Sequence, residues 1–183
     1  LYLPIVFQSA GFEATSDAIF QTAVLLAWNL FCTVLALYLV ERIGRRPLLL
    51  IGLSVMGIGL ALFGGCFYTE TQGSYLLASM FLAVGAFNLS IAPLAWLIMS
   101  EIFPNRIRAK AMAIATFSLW VGAYINGQTF PMLISVIETR FGNPAGVYWI
   151  YSAVCLFAVL FGWLMVPETK GRSLEEIGRS WRR

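Results

Sequence analysis

The chain has 183 residues, of which 60% are hydrophobic and 11% charged. A soluble domain carries about 45–50% apolar and about 25% charged residues, so the apolar excess must face lipid. The net charge of +3 and the complete lack of histidine exclude histidine-based catalysis within the chain and leave no basic soluble face for nucleic acid.

The chain opens on a short apolar run, 1–9, with Leu1-Tyr2-Leu3-Pro4 at its head and no initiating Met. It lacks the basic start of a secretory signal. It reads as the end of a helix whose first part lies upstream. A hydrocarbon core about 30 Å thick takes about 20 apolar residues in helix. Five segments reach that length, 18–40, 47–68, 75–103, 111–137 and 147–166. They are continuous rather than alternating, which predicts helices and not the strands of a barrel. The division expected is therefore a membrane bundle over 1–166 and a tail over 167–183. In the tail, Ser173 precedes a short Leu/Ile stripe and predicts a surface helix.

The loops orient these spans. Arg42, Arg45 and Arg46 share one loop, and Arg106, Arg108 and Lys110 another. The remaining basic residues, Arg140 excepted, lie in the tail. If every span crosses once, all three groups fall on one side, which the positive-inside rule makes cytoplasmic. Gly44 permits a tight turn, and Pro47 suits the first turn of the next helix. Glu101 closes a helix at its carboxy end, where the dipole disfavours an anion. It needs a cation, and Arg45, Arg46 and Arg108 are the candidates. No phosphate-binding loop is present, so the chain carries no nucleotide motor.

Inside the spans the polar residues are neutral. No carboxylate lies at mid-depth, so this chain offers no proton-carrying acid. Asn29 is central in its span and Asn88 near the centre of the third. Trp96 follows about two turns on, and Trp120 lies mid-way through the fourth. Amides bond hydroxyls in pairs and indoles stack on C–H faces, a set suited to a neutral polyhydroxyl ligand. The same residues also serve as helix glue and filler. Pro93 stands between Asn88 and Trp96 and predicts a broken helix. Gly57, Ala61 and Gly65 form a small-residue ridge for helix packing. Cys32, Cys66 and Cys155 lie apart in apolar stretches and form no disulfide framework or zinc site.

Three loops carry a resemblance. Glu41-Arg42-Ile43-Gly44-Arg45-Arg46-Pro47, then Ser100-Glu101-Ile102-Phe103-Pro104-Asn105-Arg106-Ile107-Arg108-Ala109-Lys110, then Pro167-Glu168-Thr169-Lys170-Gly171-Arg172-Ser173 resemble, in order and spacing, three motifs of the sugar porters of the major facilitator superfamily. The resemblance covers the chain from late helix 7 to the tail. It implies an all-α membrane protein, a six-helix half (first helix truncated) of a twelve-helix transporter working by alternating access. It places Asn29, Asn88, Trp96 and Trp120 at the sugar, with Tyr2 at a gate. It places Glu41, Arg45, Arg46, Glu101, Arg108 and Glu168 in a cytoplasmic charge network that holds the two halves together. Leu119 departs from the family's Asn or Gln, Leu1 from a gating tyrosine, and Ala92 from a glycine. The pocket is accordingly less polar than a hexose site.

The expected function is secondary transport of a monosaccharide or polyol across the cytoplasmic membrane, with the tail inside. The partners expected are a neutral sugar, protons where transport is coupled, lipid, and the amino-terminal half of the same protein. No enzymatic activity, cofactor, metal or nucleic acid is expected. The alternatives are a carrier of another small solute and a non-transporting sugar sensor.

Overall fold

A computed structural model describes residues 15–71, 73–103 and 107–166, with side chains from Ala23 onward. The described residues are helical almost throughout. Helix α1 spans Thr15–Ile43, α2 Arg45–Tyr68, α3 Ser74–Ala86, α4 Ala92–Ile102, α5 Arg108–Phe141 and α6 Ala145–Met165. Gly44 separates α1 from α2 with φ 100, a value that glycine adopts without a Cβ penalty. Pro47 falls in the first turn of α2, as expected.

Between α3 and α4 the chain does not simply kink. Residues Phe87–Ile91 form a π-helical turn, and Pro93 lies at the start of the α4 segment. The Ala92 N–H donates to the Phe87 carbonyl, five residues back. Proline has no N–H, and its ring would collide with the carbonyl four residues earlier. Widening the turn before it relieves that collision while keeping Ser74–Ile102 a single span.

Helix α2 holds the bundle together, because its small residues admit close neighbours. Gly57 faces α6, where an added Cβ would stand 3.2 Å from Cys155 Cβ. Ser152 Oγ donates to the Gly57 carbonyl at 2.8 Å, and Trp149 Nε1 to the Ala61 carbonyl at 3.3 Å. The third member of the expected ridge differs. Gly65 faces open space, and Gly64 instead lies beneath the Trp149 ring. The contact line with α6 thus leaves the strict four-residue row after Ala61.

Among the described residues, three apolar clusters fill the interior. Phe63, Leu76 and Tyr148 form the first, with the Phe63 and Tyr148 rings edge-on at 4.7 Å. Leu25 packs with Leu77, Phe81 and Val84. Val40, Leu48 and Leu94 close the end near Gly44.

Among the described residues four spans are long and apolar enough to cross a membrane: Ala23–Ile43, Arg45–Tyr68, Ser74–Ile102 and Ala145–Met165. The fourth expected span, 111–137, is helical throughout but falls outside that set. Asn126 and Gln128 lower its hydropathy, and none of its residues is buried. Helix α5 runs along the side of the bundle and touches it on one face.

Candidate solute site and charge cluster

The four residues expected at a solute lie on α1, the π-helical turn, α4 and α5. Asn29 is half-buried on α1. Asn88 stands in the π-helical turn, 6% exposed, and its Nδ2 donates to the Val84 carbonyl at 2.8 Å. Trp96 on α4 is 46% exposed and Trp120 on α5 is 63% exposed. The π turn packs on α1, which brings the Asn88 segment to the Asn29 helix. No hydrogen bond joins any two of the four among the described residues. The two indoles present open faces, whereas the Asn88 amide is turned back to its own helix. Tyr2 lies outside the described residues.

Ser90 explains why this turn is fixed. It is fully buried and donates to the Ala86 carbonyl at 2.8 Å. Its Oγ stands 1.6 Å from where a Cβ on Gly52 would be. Only a glycine on α2 lets the π turn approach so closely. Trp28 makes a second clamp. Its Nε1 donates to the Phe81 carbonyl at 3.1 Å, and its ring lies over Gly85. Sequence reasoning missed Ser90 and Trp28. Trp28 is adjacent to Asn29, but nothing in the spacing shows that its partner is a carbonyl 53 residues away.

A cleft of about 240 Å³ opens among α1, α2 and α3, with Trp28, Leu39, Ile51, Gly52, Phe81 and Leu89 in its walls. None of the four candidate residues lines it. Its walls are almost wholly apolar and offer a hydroxylated solute no hydrogen-bonding partners.

The charge cluster divides. Arg45 donates through Nη2 to Glu101 Oε1 at 2.9 Å, and through Nε to both carboxylate oxygens at 3.2 Å. The side chains are 20% and 21% exposed. Arg45 thus supplies a cation that Glu101 needs, and the pair ties the start of α2 to the end of α4 within this chain. Arg108 is held elsewhere, with its Nε directed to the Phe103 carbonyl at 3.4 Å. Arg46 Nη2 donates to the Trp163 carbonyl, joining α2 to the end of α6. Glu41 is exposed on the last turn of α1. Glu168 lies outside the described residues.

A bundle of apolar helices with neutral amides and rings along them, and charges confined to its ends, is the architecture of a polytopic membrane protein. The chain belongs to the family described as "Sugar (and other) transporter", which matches residues 1–181. It is 43% identical over 182 residues to the D-xylose-proton symporter of Escherichia coli K12, covering 98% of this chain and 37% of that protein. It is 36% identical over 181 residues to the arabinose-proton symporter of Bacillus subtilis 168, covering 98% of this chain and 38% of that one. The solved structure of the proton:xylose symporter XylE bound to 6-bromo-6-deoxy-D-glucose superposes with TM-score 0.88 at 43% identity, covering 98% of this chain and 38% of that structure's. The chain therefore spans well under half the length of the relatives it matches. Their fold is the major facilitator fold, and their activity is transport rather than catalysis.

Proposed function

We propose that this chain is the carboxy-terminal half of a carrier that moves a monosaccharide across the cytoplasmic membrane by alternating access. The observation that carries the reading is the family match along nearly the whole chain. The chemistry at depth agrees with it. Neutral amides and indoles suit hydroxyls and C–H faces, and segments 18–40, 47–68, 111–137 and 147–166 hold no charged residue that would pair with an ionic solute. Asn29, Asn88, Trp96 and Trp120 form the half-site supplied by this chain. Tyr2 gates it.

Two relatives are named as pentose-proton symporters. A pentose fits the departure at Leu119, where a methyl surface replaces an amide and one fewer hydroxyl is held. Coupling to protons follows those relatives, and its acid lies outside this chain, since no carboxylate stands at mid-depth here. The Arg-rich loops and the tail face the cytoplasm. Glu41, Arg46, Arg108 and Glu168, with the Arg45–Glu101 pair, form the contact with the other half on that side.

The test is Trp96→Ala in the full-length protein. Losing one large ring face costs on the order of 1–3 kcal/mol of binding, so uptake of labelled pentose at sub-saturating concentration falls about fivefold or more at matched membrane expression. Uptake within twofold of wild type removes Trp96 from the site.

A further inference from the structure

Helix α5 carries two amides two residues apart, on opposite sides of the helix. Asn126 Oδ1 accepts from the Tyr151 hydroxyl of α6. Phe130 meets the Tyr151 ring edge-on at 5.8 Å. Ile137 lies against Gly146, its Cγ2 3.1 Å from where a Cβ would stand there. At about 100° per residue, Phe130 and Ile137 fall within roughly 40° of Asn126, so these three define the face seated on α6. Gln128 is about 160° away from Asn126, and so is Tyr124, while Trp120 is about 120° away. All three point off the bundle. Trp120 is 63% exposed, Tyr124 69%, and Gln128 is exposed too.

The depth of Gln128 decides what it can face. It lies nine residues before Ile137, about 14 Å inside the end of the apolar segment. A carboxamide at that depth is costly against hydrocarbon and belongs on a protein-lined or water-filled path. Trp120, Tyr124 and Gln128 follow one another at four-residue steps, about 6 Å each, and lead from mid-depth toward the end opposite the Arg-rich loops. No charged residue lies on α5 between Lys110 and Glu138. A ring face, a phenol and a carboxamide in line offer stacking, donors and acceptors but no charge.

We propose that Tyr124 and Gln128 form an outer subsite for a neutral polyhydroxyl solute, one helical turn and two turns outside Trp120, which a monosaccharide occupies as it enters from or leaves to the exterior. Asn126 takes no part in it and fastens α5 to α6. This rests on the transport reading above and names where the same solute binds on its outer path.

The test uses the full-length protein in right-side-out and inverted vesicles, with labelled D-xylose as the probe. Gln128→Leu raises the apparent KM for entry from the outer side three- to tenfold and leaves the inner-side KM within twofold. Tyr124→Phe, which keeps the ring and removes one hydroxyl, raises the outer KM about threefold and carries the test if Gln128→Leu fails to reach the membrane. Asn126→Leu lowers thermal stability without separating the two KM values. An outer KM unchanged in both subsite variants, or inner and outer values moving together, overturns the subsite while wild-type uptake keeps the transport reading intact. Wild-type vesicles that accumulate no sugar from either side overturn both.

Discussion

Arg45, the first residue of α2, grips both carboxylate oxygens of Glu101 near the end of α4, 56 residues further along the chain. A two-pronged contact fixes direction as well as distance. It locks the arginine-rich turn at Gly44 to the segment below the π-helical break. The pair is partly shielded from water, so it is worth more than a surface ion pair and less than a fully buried one.

Glu101→Gln removes the negative charge that faces Arg45. The expected cost is on the order of 1–3 kcal/mol, enough to change a two-state ratio about fivefold or more. The bundle loosens at its Arg-rich end, and a cysteine placed in the α1–α2 turn is labelled faster. Reversing the pair, Arg45→Glu with Glu101→Arg, restores part of the protection. Labelling rates equal to wild type in the single variant contradict a latch.

Gly52→Ala has a definite steric outcome. The new methyl meets Ser90 Oγ at 1.6 Å and Ser90 Cβ at 2.3 Å, inside any allowed contact. Overpacking of this kind costs about 1–3 kcal/mol, and α2 separates from the π turn. Thermal unfolding of the purified full-length protein drops by several degrees. Removing the opposing side chain as well, Gly52→Ala with Ser90→Gly, recovers most of the loss. A single variant as stable as wild type means that the π turn does not rest on Gly52.

Tyr151→Phe removes one hydrogen bond to Asn126 and keeps the ring against Phe130. The loss is about 0.5–1.5 kcal/mol. Because α5 has no buried residue of its own, its attachment depends on few contacts, and protease cleavage within α5 speeds up. Cleavage in α5 no faster than in α2 shows that other contacts hold the helix.

Leu119→Asn adds back an amide. It improves binding of a fully hydroxylated hexose about tenfold, roughly 1.4 kcal/mol, the scale of one good hydrogen bond. Competition against labelled pentose by hexoses and deoxysugars reads the change. A wild type that already prefers glucose, and loses affinity on substitution, removes Leu119 from the solute.

How much was legible in the sequence varies by element. The helical spans follow from apolar runs, whose backbone has no alternative in lipid. The need of Glu101 for a cation follows from its place at a helix end, yet choosing Arg45 over Arg46 and Arg108 depends on how α2 meets α4. Pro93 marks the break in the third span. The π turn that accommodates it is held by Ser90 against Gly52 and Trp28 over Gly85, contacts between distant segments that no local pattern reveals. The ridge of Gly57 and Ala61 is a local signal and packs as read. Its continuation moves from Gly65 to Gly64 because Trp149, on a distant helix, lies over Gly64. On α5, Asn126 and Gln128 are two residues apart and look equivalent in sequence. Only the position of Tyr151 distinguishes the amide that fastens the helix from the one left facing outward.

Monosaccharide transport is tested by uptake by the purified full-length protein in proteoliposomes. Labelled D-xylose, L-arabinose and D-glucose are presented with and without an inwardly directed proton gradient. Saturable pentose uptake is expected, driven above equilibrium by the gradient, with weaker competition by glucose. No saturable uptake of any of the three sugars, from protein that is folded and correctly inserted, contradicts it.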